Sequence, residues 1–430
     1  MNLFAIIFII SLFAILMGFF SQDKVDYFPF ALIIGIVAVL FMLHSGIERD
    51  EILGFINYNT LIFIFAIQII IYYLNYNKIL EYSALKLIHI TKGNNRVFFY
   101  LICIFTALIV AFIEDLSLAL ILAPLIYRTC RILDIPAGTY MMGMTITINI
   151  GAILTPVSSI KNLIISQEFG WGFLEFFINM GPIFLIALLL TIFLLDRFVL
   201  RKEEKPTEEN KQLLLDVINP NMVIDNKFYF SVTYVILIAT FGLMFFGFEP
   251  ALVALISAAL LLIIHSRVTN FQAIKSEITW RILIAFAVIF ILSNSLASFG
   301  FADLISDLLL DVIGNNIYLA VLIVLLISSV LSAFLAGTPV TIILLPIVAA
   351  VAGESLFPNP IIIAFIGGVN MAGNFLPQGS ACDLLTLNLA RKYNVENLNY
   401  RRLLKYGGTF AILHFLIILG YTMLYTLFLC

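Results

Sequence analysis

Four ionisable residues lie within otherwise apolar stretches of this chain: Glu114, Asp115, Lys161 and Asp383. A charged side chain at the centre of a bilayer costs about 2.5–3.5 kcal/mol on insertion scales, so such groups persist by pairing, by protonation or by facing water. We expect these four to meet near the middle of a membrane as an ion-coupling set, with Lys161 paired to Asp115 or Asp383. The alternative for Lys161 is that its long side chain extends to the outer interface.

Two proline-containing segments interrupt long apolar runs. Residues 155–159 (Thr-Pro-Val-Ser-Ser) interrupt the run 139–165, and residues 376–380 (Leu-Pro-Gln-Gly-Ser) interrupt the run 359–386. Because proline lacks an amide hydrogen and clashes with the preceding turn, each helix should break there. The broken ends expose free amides, which can hold an anion, and free carbonyls, which can hold a cation. A simple proline kink is the alternative for either segment taken alone.

Small and polar residues flank these breaks. They also occur at the polar tips of two predicted hairpins, 96–128 and 317–351. Thr145 and Asn149 are four residues apart, as are Asn370 and Asn374, so each pair shares one face of its helix. Small residues also let helices pack closely in lipid, so packing and ligand contact both stay open for these positions. The predicted substrate-binding residues are Asn149, Thr155, Ser158, Ser159, Asn162, Gly337, Thr338, Asn370, Asn374, Gly379 and Ser380.

The motifs occur twice in the same order, about 221 residues apart. The segment 111–124 has its counterpart at 333–346, and the segment 149–163 has its counterpart at 370–384. Duplicated halves with polar and proline interruptions inside apolar segments are typical of secondary transporters. The sequence therefore predicts a first repeat at 1–198, a second at 227–430, and between them a solvated cytoplasmic linker at 199–226.

The composition indicates that lipid is the solvent. Of the 430 residues, 62% are hydrophobic and 11% are charged, where a soluble domain carries about 25% charged residues. The first apolar stretch, 3–20, lacks a preceding basic residue and a following cleavage site, so we expect a transmembrane helix and not a removed signal. Cysteines and histidines are dispersed, so the sequence predicts no metal ion and no other cofactor.

Each half is predicted to hold five transmembrane helices, one of them broken, and one hairpin, at 96–128 and 317–351. A hairpin arm of about fifteen residues spans about 22 Å, short of the hydrocarbon core of about 30 Å, which favours re-entrant hairpins over crossings. Short interfacial helices are expected at 78–90 and 300–313. The transmembrane helices are predicted at 3–20, 28–44, 59–77, 139–165, 172–198, 228–246, 249–265, 280–298, 359–386 and 406–428.

The distribution of basic residues predicts the orientation. With five crossings per half, the loops on one side hold all of the 23 Lys and Arg residues except Arg49 and Lys161. By the positive-inside rule that side is cytoplasmic, so both termini face outward. An odd number of crossings inverts one half relative to the other. The predicted fold class is thus an all-α polytopic protein of the cell membrane, built as an inverted repeat.

At these residues the chain resembles the ion transporter superfamily, which includes arsenite permeases, citrate transporters and divalent anion/sodium symporters. The resemblance covers nearly the whole chain. The second break, 377–380 (Pro-Gln-Gly-Ser), is close to the superfamily's Pro-x-Gly-Ser. The first break, 156–162, keeps the outer proline and asparagine of Pro-x-Gly-Asn-Pro-x-Asn, and Asp115 keeps the acid of the Asn-Asp pair at the first tip. The residues Gly337-Thr338 stand where the second tip often has two asparagines. The resemblance implies that tips and breaks together form the ion and substrate sites, in a homodimer.

These observations predict a secondary active transporter for a small anion or oxyanion, carboxylate or arsenite-like, working by alternating access around a site at the midplane. The altered tips and the added Lys161 favour protons over sodium as the coupling ion. A sodium/proton antiporter is the alternative, although an ammonium at the site repels sodium. Enzyme motifs such as His-Glu-x-x-His are absent from the sequence, and no nucleic-acid partner is expected.

Overall fold

The structure is a computed structural model that describes residues 3–20, 27–113, 115–301, 312–314, 316–335 and 337–429. Over these residues the chain forms α-helices and short 3₁₀ turns, with no strand. The all-α fold predicted from the sequence is confirmed. The helices up to the linker are α1 (Leu3–Phe20), α2 (Tyr27–His44), α3 (Arg49–Gly54), α4 (Tyr58–Tyr76), α5 (Ile79–Ile90), α6 (Asn95–Val110), α7 (Asp115–Leu133), α8 (Gly138–Gly151), α9 (Ile160–Phe169) and α10 (Phe173–Phe198).

The remaining described helices follow the same succession of long, paired and broken helices. They are α11 (Glu208–Val217), α12 (Lys227–Phe245), α13 (Pro250–Ile264), α14 (Phe271–Glu277), α15 (Trp280–Ser298), α16 (Ile317–Phe334), α17 (Gly337–Gly353), α18 (Asn359–Met371), α19 (Ala381–Lys392) and α20 (Tyr400–Leu429). The pair α6/α7 forms the first hairpin, and α16/α17 forms the second. The broken helices are α8/α9 and α18/α19. Most of the interfacial segment predicted at 300–313 lies outside the described residues.

The two hairpins begin with the same local device. The side chain of Asn94 accepts hydrogen bonds from the amides of Arg96 and Val97, and the side chain of Asn316 accepts from the amides of Tyr318 and Leu319. An asparagine at this position satisfies amides that have no partner within the helix. In each hairpin, the start of the first arm is therefore set by a local asparagine cap.

Two hairpin arms are longer than the prediction allowed. The arms have 16 and 19 residues in the first hairpin, and 18 and 17 in the second. Both α7 and α16 are long and apolar enough to cross a membrane, so arm length does not by itself indicate re-entrance. In all, seven described helices meet that criterion: 58–76, 115–133, 173–202, 227–245, 280–298, 317–334 and 400–428.

Both helix breaks start earlier than predicted, for a reason that lies in the proline. Because Pro156 has no amide hydrogen, the carbonyl of Ala152, four residues earlier, loses its helical partner, and α8 already ends at Gly151. That carbonyl instead accepts from the Ser158 hydroxyl at 2.5 Å and from the side-chain amide of Asn162 at 2.7 Å. The first break thus spans 152–159. In the second break, Pro377 follows a 3₁₀ turn that begins at Ala372.

The linker at 199–226 is more ordered than a solvated connector. It contains the helix α11, whose Leu214 is fully buried. Its Glu203 accepts hydrogen bonds from Thr139 at 2.5 Å and from Arg402 at 3.1 Å. The linker therefore ties the start of α8 to the start of α20, a role that its polar composition did not indicate.

Candidate functional site

A cavity of about 270 Å³ lies where both hairpin tips meet both helix breaks. Ten of the predicted site residues line this central cavity, and they come from both halves of the chain. They are Asp115, Asn149, Ser158, Ser159, Lys161, Gly337, Thr338, Asn370, Gly379 and Ser380. The predicted convergence of tips and breaks is therefore present in the geometry.

Four other predicted residues lie directly behind the cavity wall, and one is not described. Thr155, Asn162, Asn374 and Asp383 are buried, with at most 2% of each side chain exposed. None of the four lines the cavity, but each is hydrogen-bonded to a residue that does: Asn162 to Asn370, Asn374 to Asn149, Thr155 to Ser158 and Asp383 to Ser380. Glu114, predicted as part of the ion-coupling set, lies outside the described residues.

The two breaks are joined by a hydrogen bond between asparagines. The side-chain amide of Asn370 donates to Oδ1 of Asn162 at 2.7 Å. Asn162 in turn donates to the free carbonyls of Ala152 and Thr155, at 2.7 and 3.1 Å. The hydroxyl of Thr155 donates to the carbonyl of Ala111 at the first hairpin. This chain of contacts supplies partners for backbone that is not helical, as any break at membrane depth requires.

A second set of hydrogen bonds links α8 to the second break. Asn149 donates from Nδ2 to Oδ1 of Asn374 at 2.8 Å, and its own Oδ1 accepts from the Ser380 hydroxyl at 3.3 Å. Two polar atoms beside these bonds are buried without a partner among the described residues, Oδ1 of Asn370 and Nδ2 of Asn374. Buried polar groups are normally hydrogen-bonded, so each of these two atoms is available to a partner other than the described residues.

Asp383 is held by Thr145, a residue that the sequence placed on a polar face but not among the site residues. The Thr145 hydroxyl donates to Oδ1 of Asp383 at 2.6 Å. The spacing of Thr145 and Asn149 by one helical turn was the signal, since it aims both at the second break. No cation forms an ion pair with Asp383 within the described part of the chain.

Lys161 does not form the direct ion pair that the sequence predicted. Its ammonium donates instead to the carbonyl of Val369 at 3.1 Å, and no described carboxylate lies within ion-pair distance of it. Asp115 lines the same cavity, close enough for its charge to act on the ammonium through space. The free carbonyl near the end of α18 competes with the carboxylate for Lys161, which explains the difference.

Four helices begin at the central cavity. Their first residues, Asp115 of α7, Ile160 of α9, Gly337 of α17 and Ala381 of α19, all line it. A helix start carries unpaired amides and about half a positive charge. At α7 the carboxylate of Asp115 accepts from the amide of Leu116 at 2.8 Å and so satisfies one of these donors. At α9 the Ser159 hydroxyl likewise accepts from the amide of Asn162. The starts of α17 and α19 and the ammonium of Lys161 make the cavity suited to an anion.

The side of the cavity opposite the tips and breaks is formed by α4 and the start of α15, which the repeat did not indicate. Gln68 of α4 accepts from the backbone amide of Thr279 at 2.6 Å. A glutamine within an apolar helix was the one signal available, because the other lining residues here, apart from Thr279, are apolar. They are Phe63, Ile64, Ile67 and Ile282.

Comparison with known proteins identifies the group to which this arrangement belongs. Residues 4–368 match the family described as citrate transporter. An uncharacterised transporter of Methanocaldococcus jannaschii is 24% identical over 411 residues, covering 94% of this chain and 99% of that protein. An arsenical pump membrane protein of Escherichia coli is 23% identical over 350 residues, covering 79% of this chain and 80% of that protein.

The fold matches a solved transporter along its whole length. The crystal structure of the Alcanivorax borkumensis YdaH transporter superposes with a TM-score of 0.61, at 12% identity, and covers 99% of this chain and 98% of that one. The comparison supports the fold, and the family match supplies the function class, a multi-pass membrane transporter and not an enzyme. With its polar cavity between paired hairpins and broken helices, this chain belongs to the citrate transporter family.

Proposed function

We propose that this protein is a secondary active transporter that moves a small anion or oxyanion across the cell membrane, driven by protons, through alternating access around the central cavity. The observation that carries the proposal is the ammonium of Lys161 in a cavity where four helices begin. Unpaired amides at helix starts and a fixed positive charge both favour a bound anion.

The size and polarity of the cavity support a small substrate with several oxygen atoms. A volume of about 270 Å³ suits a compact carboxylate or an arsenite-like oxyanion. The free Oδ1 of Asn370, a lining residue, can accept from a hydroxyl of the substrate. The names of the family and of the Escherichia coli relative, citrate transporter and arsenical pump membrane protein, are consistent with these two substrate classes.

The charge balance of the cavity supports proton coupling. Lys161 and Asp115 are the ionisable residues among its described lining, so their charges cancel when both are charged. A proton on Asp115 leaves the ammonium without a counter-charge and so favours an anion. Asp383, buried behind the wall with Thr145 as its partner, offers a second carboxylate for the same role, because burial without a cation penalises its charged form.

The membrane arrangement completes the proposal. The linker and the Lys/Arg-rich loops lie in the cytoplasm, both termini face outward, and the halves 1–198 and 227–430 are inverted relative to each other. The functional unit is a homodimer in lipid. Matched asparagine caps at the two hairpins support the duplication.

Uptake into proteoliposomes tests the proposal. Purified protein is reconstituted, and uptake of labelled citrate, succinate and arsenite is measured with a proton gradient, with a sodium gradient, and with neither. We expect one of these anions to enter when the proton gradient is imposed in sodium-free buffer, and a protonophore to abolish its entry. Sodium efflux driven by the proton gradient, with no anion movement, would instead establish the sodium/proton antiporter.

A further inference from the structure

The ammonium of Lys161 lies where three elements meet. Lys161 belongs to α9 in the first half, whereas its acceptor, the carbonyl of Val369, belongs to α18 in the second half. The start of α17 approaches the same point at Gly337. A Cβ atom on Gly337 would lie 3.0 Å from Nζ of Lys161, 3.2 Å from its Cδ and 2.8 Å from the carbonyl oxygen of Val369. The space that a side chain at position 337 would need is therefore taken by the lysine and its acceptor.

Two helix ends of opposite polarity lie beside the ammonium. Val369 is in the last turn of α18, where unpaired carbonyls carry about half a negative charge. Gly337 is the first residue of α17, where unpaired amides carry about half a positive charge. The start of α17 therefore repels the ammonium, and an anion that contacts both of them turns this repulsion into a shared attraction.

A buried polar atom lies beside the same junction. Asn370 follows Val369, lines the central cavity and is 1% exposed. Its Oδ1 has no hydrogen-bond partner in the part of the chain that the structure describes. A group of this kind is normally hydrogen-bonded, so it supports the placement of a ligand against the start of α17 and Lys161.

Of the groups at this junction, the lysine head is the one that can move. The Thr341 hydroxyl, fully buried, donates to the carbonyl of Gly337 at 2.9 Å and holds the first turn of α17. The carbonyl of Val369 is part of the backbone of α18. The side chain of Lys161 has four rotatable bonds. A side chain at position 337 would therefore displace the ammonium from the start of α17.

We propose that Gly337 is a positioning residue for Lys161: because it lacks a side chain, the ammonium reaches the first amides of α17, and both bind the same anion. The inference rests on the proposed transport of an anion and identifies what sets the affinity of its site. The first hairpin differs at the corresponding position, because α7 begins with Asp115. Gly337 thus acts on the substrate through Lys161, whereas the sequence predicted it as a binding residue.

The dependence of anion affinity on both positions tests the proposal. Uptake of labelled citrate, succinate and arsenite is measured in proteoliposomes, and KM and kcat are compared for G337A, K161M and the double variant. We expect G337A to raise KM about tenfold, the loss of one charge-assisted hydrogen bond. In the K161M background G337A should change KM by less than about twofold, because no ammonium remains to be displaced. G353A is the control at the other end of α17, where a Cβ atom meets nothing within 4 Å.

K161R examines the same junction from the side of the lysine and leaves Gly337 in place. Arginine keeps the positive charge, but its planar guanidinium is larger than an ammonium and does not fit the space between the Val369 carbonyl and Gly337. We expect K161R to raise KM about tenfold as well, although the charge is retained. A KM equal to that of the parent protein would show that the position of the charge does not matter.

Melting temperatures test the shared space without any substrate. G337A should lower the melting temperature, partly through the lysine and partly through the carbonyl of Val369. K161A removes the lysine head, so the loss caused by G337A should fall by about half or more in that background. Additive losses would mean that positions 337 and 161 do not compete for one space, and would overturn the proposal.

An equal rise in KM on adding G337A to the parent and to K161M would also overturn it, since the glycine would then act independently of the ammonium. So would an unchanged KM in G337A. Uptake of none of the three anions by the parent protein would contradict the proposed transport instead. In that case the melting temperatures still decide whether the ammonium is held against Gly337.

Discussion

Asn370 of α18 donates its side-chain amide to Oδ1 of Asn162 in α9 at 2.7 Å, and this bond is one of several that join the broken helices of the two halves. Neither residue has appreciable exposure, at 1% and 0%. Asn370 also donates to the carbonyl of Ile366, so its orientation is fixed, and its own Oδ1 is left free at the cavity. The pair therefore holds the two broken helices together and also leaves a free acceptor atom at the cavity.

A double-mutant cycle should detect this coupling. We expect N162A and N370A each to lower the melting temperature of the purified protein. The double variant should lose less stability than the sum of the losses in the two single variants. The shared bond predicts an interaction free energy of about 0.5–1.5 kcal/mol. Additive losses would mean that each asparagine acts only through its separate backbone contacts.

Lys161 is expected to be essential for anion binding and dispensable for folding. K161M removes the positive charge but keeps most of the side-chain volume, and a charged hydrogen bond contributes about 1.5–3 kcal/mol, so affinity should fall about ten- to a hundredfold. The measurement is uptake in proteoliposomes together with the ligand-induced rise in melting temperature. The matched control K275M changes an exposed lysine of α14, outside the cavity lining, and should leave both unaltered. Uptake retained by K161M would refute the assigned role of the ammonium.

Much of the fold could be predicted from the sequence because hydrophobic runs, asparagine caps and prolines act locally. The runs that became α1, α4 and α15 differ by at most one residue from the predicted bounds at each end. The early ends of the broken helices could also have been derived, since the effect of Pro156 reaches back four residues to Ala152. The last helix begins at Tyr400, not at 406, because the basic residues Arg401, Arg402 and Lys405 in its first turns mask the hydrophobic signal there.

The site could be predicted only where both halves carry the same motif. The tips and breaks were found through repetition, whereas Thr145 and Gln68 contribute single polar groups from helices whose counterparts differ. The partner of Lys161 depended on a further feature that no pattern reports. The carbonyl of Val369 is available because α18 ends two residues later, and the ammonium binds it in place of a carboxylate. Competition of this kind is decided by tertiary geometry.

Asp115 should determine whether protons drive transport. D115N carries no titratable proton and imitates the protonated carboxyl, so Lys161 stays without a counter-charge and the anion binds without a proton. We expect exchange of labelled for unlabelled anion to continue while the proton gradient no longer drives accumulation. The control D216N removes an exposed carboxylate of the linker helix and should accumulate substrate normally.

Gradient-driven accumulation by D115N at the rate of the parent protein would assign coupling elsewhere, and Asp383 is the next carboxylate to test. D383N then removes the charge of this carboxylate, whereas T145V keeps the charge and removes the hydroxyl that positions it. If T145V weakens the proton dependence without abolishing it, the hydroxyl positions the carboxyl group and does not itself carry the proton.

Gly379 is predicted to be irreplaceable because the second break lies directly against the second hairpin. A Cβ atom at this position would meet the carbonyl oxygens of Ala333 and Ser332 at 2.8 and 2.9 Å, and backbone atoms cannot move aside as a flexible side chain can. G379A should therefore lower the free energy of unfolding by about 1–3 kcal/mol, the usual cost of overpacking. G181A is the matched control, since a Cβ there meets nothing within 4 Å and alanine favours the helix by about 0.5–1 kcal/mol. Melting curves of the two variants in the same detergent should thus shift in opposite directions. A G379A protein as stable as its parent would show that the second hairpin and the second break are not in close contact at this point.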